Sequence, residues 1–238
     1  MKTTCLFAAK ATRVLSVCFL SILIGGATIV GAQDAAQVGV YFTTIVPRGG
    51  FSENVTNNGY GASGQFLVRL AGSPILAGGD LGIAVYGSVS HREPISTTIP
   101  NLQVRVNTSN NIFFSHFVLR AQPRTGVVRP YFDGLIGLKH LFTRTSISDL
   151  TGGETIASST DLSDTALSYG FGGGLQIPLH KGREAKILLD TGVRYLRGAR
   201  AEYLRKGSIR EENGVVVFDV LSSRTDVLAV QVGVTFRF

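Results

Sequence analysis

Serine and histidine are the residue types in this chain that could carry out nucleophilic catalysis. The sequence has four histidines, and Ser115, His116 and His140 are the parts from which a lipid-modifying hydrolase could be assembled. Such an enzyme needs a serine, a histidine and a carboxylate that converge. Ser115 and His116 are neighbours in a strand-like segment and point to opposite faces, and no carboxylate is plainly placed to orient His140. We therefore predict no enzymatic activity, an internal hydrogen-bonding role for His116 and an interfacial position for His140.

Cofactor and metal chemistry also lack the residues that they need. Both cysteines, Cys5 and Cys18, lie in the first 18 residues, so the rest of the chain has no thiolate to offer. The other metal-ligating residue types are not clustered. The glycine pairs precede neither a helix nor a Lys-Ser/Thr pair, which a phosphate-binding loop requires. The sequence therefore predicts neither a metal nor a cofactor.

The N-terminus has the pattern of a secretory signal peptide. Three basic residues precede or open an uncharged apolar run at 14–30, and Val30-Gly31-Ala32 supplies short residues before a cleavage point. We predict a cleaved signal peptide at 1–32 and one domain at 33–238, although a retained membrane anchor fits the same run. Without those three basic residues, 20 basic residues face 16 acidic ones, which argues against a nucleic-acid partner.

Beyond the signal peptide, apolar residues alternate with small and polar ones at a period of two. In 228–238 the even-numbered residues are all apolar, and 165–179 shows the same alternation. Alternation of this length predicts strands and no helix. Eight such segments are recognisable, at 37–46, 62–71, 80–90, 112–121, 130–142, 165–179, 187–196 and 228–238. The connections between them alternate between long and short, as in outer-membrane barrels.

The second face of these strands decides between a soluble and a membrane barrel. It consists mostly of Gly, Ala, Ser, Thr and Gln with a few charges of both signs, which suits the confined interior of a small barrel. We predict an all-β fold, an eight-stranded antiparallel up-and-down transmembrane β-barrel with both termini in the periplasm; a soluble sandwich is the alternative. The predicted interior charges are Arg69, Arg120, Asp133, Lys139, Asp190 and Arg194.

Four runs in the second half of the chain resemble a known family. They are Arg129-Pro130-Tyr131-Phe132-Asp133-Gly134-Leu135-Ile136-Gly137 and the segments 169–174, 189–196 and 232–238. They resemble the small outer-membrane β-barrel domains of the OmpA, OmpX and opacity-protein type. The resemblance implies insertion by the outer-membrane assembly machinery, with Phe236 and Phe238 of the last strand as the assembly signal.

The longest connections are the expected seat of function. Asn213-Gly214 is a strong hairpin-turn signal, so the last two strands are expected to continue as one long hairpin. Residues 151–153 suggest the same for the fifth and sixth strands. The four strands would protrude as a sheet, whose exposed edge the resemblance associates with adhesion. Flexible loops without a binding role are the alternative.

Basic residues in the last connection suggest a lipid partner. Arg197, Arg200, Arg205, Lys206 and Arg210 could bind lipopolysaccharide phosphates, or the loop could be solvated and partly self-paired.

The sequence thus favours a monomeric outer-membrane protein with a side-chain-filled interior and a structural or adhesin-like role. Its expected partners are outer-membrane lipid and lipopolysaccharide, the assembly machinery and an extracellular partner bound by the loops. A narrow channel or small-molecule transporter is the alternative, and a lipid-modifying enzyme is less favoured.

Overall fold

A computed structural model provides the structure of the protein. It describes residues 35–96, 99–149, 155–181, 186–205, 207–212 and 215–238. The predicted signal peptide at 1–32, Lys206, the side chain of Arg210 and the two turn signals at 151–153 and 213–214 lie outside the described residues.

Eight antiparallel strands close into a barrel in which chain neighbours pair and the last strand meets the first. They are β1 (Ala36–Pro47), β2 (Gly59–Arg69), β3 (Ile75–Ser96), β4 (Ile99–Ala121), β5 (Arg129–Asp149), β6 (Thr155–Lys181), β7 (Lys186–Gly198) and β12 (Val227–Arg237). The seam between β1 and β12 runs from Gln37 opposite Arg237 to Pro47 opposite Val227. The predicted all-β, eight-stranded up-and-down barrel is confirmed.

Short elements lie in the first and last long connections. A five-residue helix, α1 (Gly50–Asn54), follows β1. The last connection contains β8 (Arg200–Tyr203), β9 (Ile209–Glu212), β10 (Val215–Phe218) and β11 (Leu221–Arg224). In the described part of the chain, no helix is long and apolar enough to cross a membrane.

The last connection forms a broken hairpin. β8 pairs with β11, and β9 pairs separately with β10. The continuous hairpin predicted from the sequence is therefore wrong. Five residues separate β8 from β9 and only two separate β10 from β11, so the register cannot continue. The longer side makes a turn in which the Ser208 N–H donates to the Arg205 carbonyl at 3.2 Å, with Gly207 at a φ of 81°.

The strands differ in length on the two sides of the barrel. β3 to β6 have 21 to 27 residues, whereas β1, β2, β7 and β12 have 11 to 13. Beyond the last β2–β3 pair, Tyr60 with Val85, the four long strands continue as a sheet that we call the outer sheet (87–96, 99–110, 143–149 and 155–164).

The outer sheet corrects two predictions. Residues 91–111 were expected to be a loop but pair as β3 and β4 as far as Ser96 opposite Ile99. The protruding sheet consists of the third to sixth strands, not the fifth to eighth, and the predicted extension of the fifth and sixth is confirmed. Outside the membrane, a strand no longer needs apolar residues on its outward face, so backbone pairing continues where the alternating signal stops.

The outward-facing wall of the barrel is apolar. Val40, Phe42, Phe132 and Phe171 each expose more than half of their surface, at 60%, 59%, 58% and 58%. A soluble protein does not leave a continuous apolar belt of this kind in water. The closed hydrogen-bonded ladder has no open edge at this level, which is what a hydrocarbon environment requires of a backbone. The wall is therefore suited to lipid.

Candidate functional site: the filled interior and the outer face

An ionic chain crosses the interior of the barrel. Asp133 accepts two hydrogen bonds from Arg120, at 2.7 Å from Nε and 2.9 Å from Nη2. Its Oδ2 also accepts one from Arg194 Nη2 at 3.2 Å, and Arg194 Nη1 donates to Asp80 Oδ2 at 2.9 Å. All four side chains are buried. The two guanidinium groups are thus held by carboxylates from β3 and β5, and the Arg120–Asp133 pair has the bidentate geometry that arginine favours.

Asp190 is the second anchor of the interior. Its carboxylate accepts hydrogen bonds from the Tyr131 hydroxyl at 2.7 Å and from Gln176 Nε2 at 2.8 Å. Tyr41 and Thr235 hydroxyls donate to it at 3.0 Å each. Donors from four strands, β1, β5, β6 and β12, therefore converge on one buried carboxylate, whose charge is paired with Arg120 Nη1 at 3.7 Å.

Three glutamines close the barrel towards the end where the chain termini lie. Gln37 donates to Gln122 at 2.9 Å, Gln122 to Gln176 at 2.8 Å, and Gln176 back to Gln37 at 3.3 Å. Gln37 lies on β1 and Gln176 on β6, whereas Gln122 directly follows β4, and all three are buried. This ring of side chains spans the lumen.

Glycines on the inner face make room for these side chains. A Cβ on Gly172 would lie 2.5 Å from Arg194 Cγ, and a Cβ on Gly192 would lie 2.5 Å from the Tyr131 hydroxyl oxygen. Neither distance allows normal van der Waals contact. The glycines of β6 and β7 therefore serve packing, because the absence of their side chains leaves the space that Arg194 and Tyr131 occupy.

Lys139 and His116 lie next to this network. The ammonium group of Lys139 donates to the carbonyls of Leu196 at 3.0 Å and Thr225 at 2.8 Å. His116 Nε2 lies 2.9 Å from Ser168 Oγ, which confirms the predicted internal hydrogen-bonding role of His116. His140 is on the outward face, where its Nδ1 lies 2.8 Å from Thr165 Oγ1 and its ring stacks on Phe142.

An aromatic cap covers the loop-side end of the interior. Phe51 of α1 is fully buried and meets the rings of Tyr86 and Tyr203 edge to face, at centroid distances of 5.6 and 4.9 Å. The Tyr203 hydroxyl accepts a hydrogen bond from Asn54 at 3.0 Å and lies 2.6 Å from Ser223 Oγ. Four buried residues of the inner wall lie towards this end of the barrel: Ile45, Ile112, Leu141 and Leu196.

Five of the six charges placed inside by the sequence lie inside and are buried: Arg120, Asp133, Lys139, Asp190 and Arg194. Arg69 is half-buried at the terminal end, where its Nη1 lies 3.5 Å from the carbonyls of Ser73 and Gln122. The sequence did not predict the interior roles of Asp80, of the two tyrosines that bind Asp190 (Tyr41 and Tyr131), of the three glutamines or of the Phe51 cap. Asp80 was recognisable, because it occupies the inward position between Gly78 and Gly82.

The two aromatic residues of the predicted assembly signal lie at the end of the closing seam. Phe236 and Phe238 are exposed on the outer wall at 38% and 54%. Phe238 exchanges two backbone hydrogen bonds with Ala36, at 3.0 and 3.3 Å. Their use as a recognition signal stays a prediction.

These features define the class of the protein. A closed eight-stranded ladder, an apolar outward wall and a polar interior of paired charges make it a membrane-spanning β-barrel of the outer-membrane type.

Comparison with known proteins gives low-level structural likenesses. No protein-family model matches the sequence, and no curated protein is significantly similar to it. Among solved structures, Neisserial surface protein A is 14% identical, with a TM-score of 0.40 over 85% of this chain and 96% of that one. Ail of Yersinia pestis, solved with the heparin analogue sucrose octasulfate, is 16% identical, with a TM-score of 0.35 over 86% and 97%. A major outer membrane protein from Thermus thermophilus is 14% identical, with a TM-score of 0.42 over 86% and 100%. At this level of likeness, the class rests on the geometry of the barrel itself.

Proposed function

We propose that the protein is a non-enzymatic outer-membrane barrel with a filled interior that acts at the cell surface, in an adhesin-like role, through its outer sheet. Its termini lie in the periplasm in this proposal, because the tight turns and the termini share one end and the long connections share the other. The observation that carries the proposal is the outer sheet, a four-stranded structure that continues past the lipid-facing belt.

The filled interior favours a surface role over transport. The glutamine ring, the ionic chain and the Phe51 cap close the lumen at three levels. A channel would have to displace buried charge pairs, each of which is costly to break. The side chains that fill the lumen bond mainly to one another, in the glutamine ring and around Asp133 and Asp190.

The outer sheet has two open edges. On one side, β2 stops pairing at Val85, so residues 87–96 of β3 have no strand partner there among the described residues. On the other side, β7 pairs with β6 only from Ser168 onwards. β8 lies beside β6 as far as Asp164, whose Oδ2 accepts a hydrogen bond from the Glu202 N–H at 2.8 Å, so residues 155–163 of β6 have no strand partner there among the described residues. An open edge presents unpaired N–H and C=O groups to which an extended segment of another protein can add.

The outer sheet is also ordered by its own side chains. Thr108 Oγ1 lies 3.0 Å from Thr145 Oγ1, which in turn donates to Asp161 Oδ2 at 2.5 Å. This row joins β4, β5 and β6 above the membrane. A partner that adds to such an edge meets a pre-formed strand, so less conformational entropy is lost than with a flexible loop.

Shortening one hairpin tests the proposal. Ser88 lies opposite Ser109, so replacing 88–109 by Asn-Gly removes the β3–β4 part of the outer sheet and leaves the barrel register intact. The control replaces 209–218, the β9–β10 hairpin, by the same Asn-Gly dipeptide. Cells that display each variant are scored for attachment to cultured epithelial monolayers and for aggregation, with heat-modifiable gel mobility as the folding check.

We expect attachment and aggregation to fall to the level of cells without the protein in the 88–109 variant and to be retained in the control. Full attachment by a folded 88–109 variant would contradict the proposed role of the outer sheet.

A further inference from the structure

We infer that four arginines on the outer rim of the barrel form a binding site for the phosphate groups of an outer-leaflet lipid. Arg48, Arg197, Arg200 and Arg224, which we call the rim arginines, are all exposed. They lie on the side of the barrel opposite the outer sheet, where the strands are short. The inference rests on insertion in the outer membrane, as proposed above, and is independent of the adhesive role.

The barrel register brings these four residues together. The N–H of Arg48 donates to the carbonyl of Asp226 at 2.9 Å, which continues the β1–β12 pairing by one residue. Arg197 ends the same row on β7, one position beyond the last β7–β12 pair. Arg224 lies two residues before Asp226. The backbones of Arg48 and Arg197 are therefore about two strand spacings, roughly 10 Å, apart, and those of Arg224 and Arg200 lie two and three residues, roughly 7 to 10 Å, further along their strands.

Two of the rim arginines face each other directly. Arg200 and Arg224 are opposite partners in the β8–β11 ladder, which places their Cβ atoms about 5 Å apart. Like charges directly opposite each other destabilise a strand pair. A bound anion would remove this repulsion, and a phosphate accepts the paired N–H groups of a guanidinium particularly well.

Neighbouring carboxylates do not neutralise the rim arginines. Within the described residues, no ion pair joins any of the four to an acidic side chain. Asp226 is buried, and its Oδ1 accepts a hydrogen bond from the Gly198 N–H at 2.9 Å. Two acids lie near Arg200 without forming an ion pair with it: Glu202, two residues on, and Asp164 of β6, whose Oδ2 accepts a hydrogen bond from the Glu202 N–H at 2.8 Å. Arg205, by contrast, has Asp219 at 3.5 Å.

The position of the rim arginines relative to the belt points to a lipid. Arg197 lies opposite Tyr169, whose side chain is 44% exposed on the outer wall. Phe171, on the same face of β6 and further from the loops, is exposed at 58%, whereas Leu167, exposed at 52%, lies beside the rim at the level of Ala199. An aromatic and aliphatic wall directly below a cationic rim matches the order of acyl chain and phosphate in an anionic lipid.

The inference is tested with the folded full-length barrel in zwitterionic detergent, to which a diphosphorylated lipid A is added. Native mass spectrometry counts the lipid retained by the wild type, by R200Q/R224Q and by the control R144Q/R205Q. The control also loses two positive charges. Its arginines lie outside the proposed site, since Arg144 donates to Ser158 at 3.1 Å in the outer sheet and Arg205 pairs with Asp219. Heat-modifiable gel mobility shows that each barrel is folded.

We expect affinity to fall about 25-fold in R200Q/R224Q, the product of two losses of about fivefold, and to change less than about twofold in the control. Equal retention by wild type and R200Q/R224Q would overturn the site, as would an equal loss in the control, which would mark a non-specific charge effect. Equal retention of dephosphorylated lipid A would also overturn it. Full displacement by millimolar inorganic phosphate would show a site for free phosphate and overturn the assignment to a lipid.

Discussion

Arginine occupies two opposite environments in this barrel. Arg120 and Arg194 are buried and reach carboxylates at 2.7 to 3.2 Å. Arg200 and Arg224 are exposed, face each other and have no carboxylate partner within the described residues. A buried charge must find its partner within the fold, whereas a charge at the rim can leave its partner to be supplied by the membrane. The comparison separates residues that hold the barrel together from residues that are free to bind.

The largest effect is expected from removing the carboxylate that both interior arginines share. Asp133→Ala leaves Arg120 without its bidentate partner and Arg194 with Asp80 alone, and breaking a buried pair costs about 3–5 kcal/mol. Urea titration followed by gel mobility and circular dichroism measures the free energy of unfolding. Asp219→Ala, which removes the exposed partner of Arg205, is the control and should cost less than about 1 kcal/mol. Equal losses would erase the distinction between the two environments.

The Phe51 cap comes next. Phe51→Ala removes a fully buried ring from between Tyr86 and Tyr203, with an expected loss of about 3 kcal/mol. Planar-bilayer conductance should stay at the baseline of the wild type, because the ionic chain and the glutamine ring still fill the lumen. Discrete, reproducible conductance steps from folded Phe51→Ala barrels would show that the cap alone closes a latent pore.

A smaller loss is expected from one hydroxyl. Tyr203→Phe removes the oxygen that accepts from Asn54 and pairs with Ser223, for about 1 kcal/mol. The loss should be local, so that amide hydrogen exchange rises in α1 and stays unchanged in β4 and β5. Tyr60→Phe, on the exposed outer wall, is the matched control. Faster exchange throughout the barrel would mean that the cap is not a separate unit.

The smallest change in the free energy of unfolding is expected at the rim arginines, where a substitution is expected to be neutral or stabilising. In zwitterionic detergent, Arg200→Gln should leave the free energy of unfolding within about 0.5 kcal/mol of the wild type or raise it, because it relieves a like-charge pair. The same change at Arg194 should destabilise strongly, since it removes the charge that Asp80 and Asp133 share. A clear loss of stability in Arg200→Gln without added lipid would show that the rim arginines already have a structural partner.

The lipid-facing wall of the barrel was predictable from the sequence, whereas the length of its strands beyond the membrane was not. Residues 228–238 and 165–179 alternate because each strand must show one face to lipid and the other to the interior. This alternation is visible in consecutive residues of one strand, so the sequence reveals it. In 99–110 the lipid no longer imposes it, so Asn107, Thr108 and Ser109 look like a loop although they form β4. The broken hairpin after β8 was missed because a strong turn signal at 213–214 gives no information on the register further back.

The interior was predictable by type but not by partner. The two-residue period places Arg120, Asp133, Asp190 and Arg194 on the inner face. Which of them meet depends on the stagger of neighbouring strands around the closed ring.

Taken alone, the sequence determined the fold class, the lipid-facing wall and the polar character of the interior, because side-chain alternation in a strand is a local property. Only the tertiary structure decided that Arg194 bridges Asp80 and Asp133, that Phe51 caps the lumen, and that Arg48 joins Arg197, Arg200 and Arg224 at one rim. Such meetings depend on barrel closure, which brings β1 against β12, and no local pattern encodes the register of two strands so far apart in the chain.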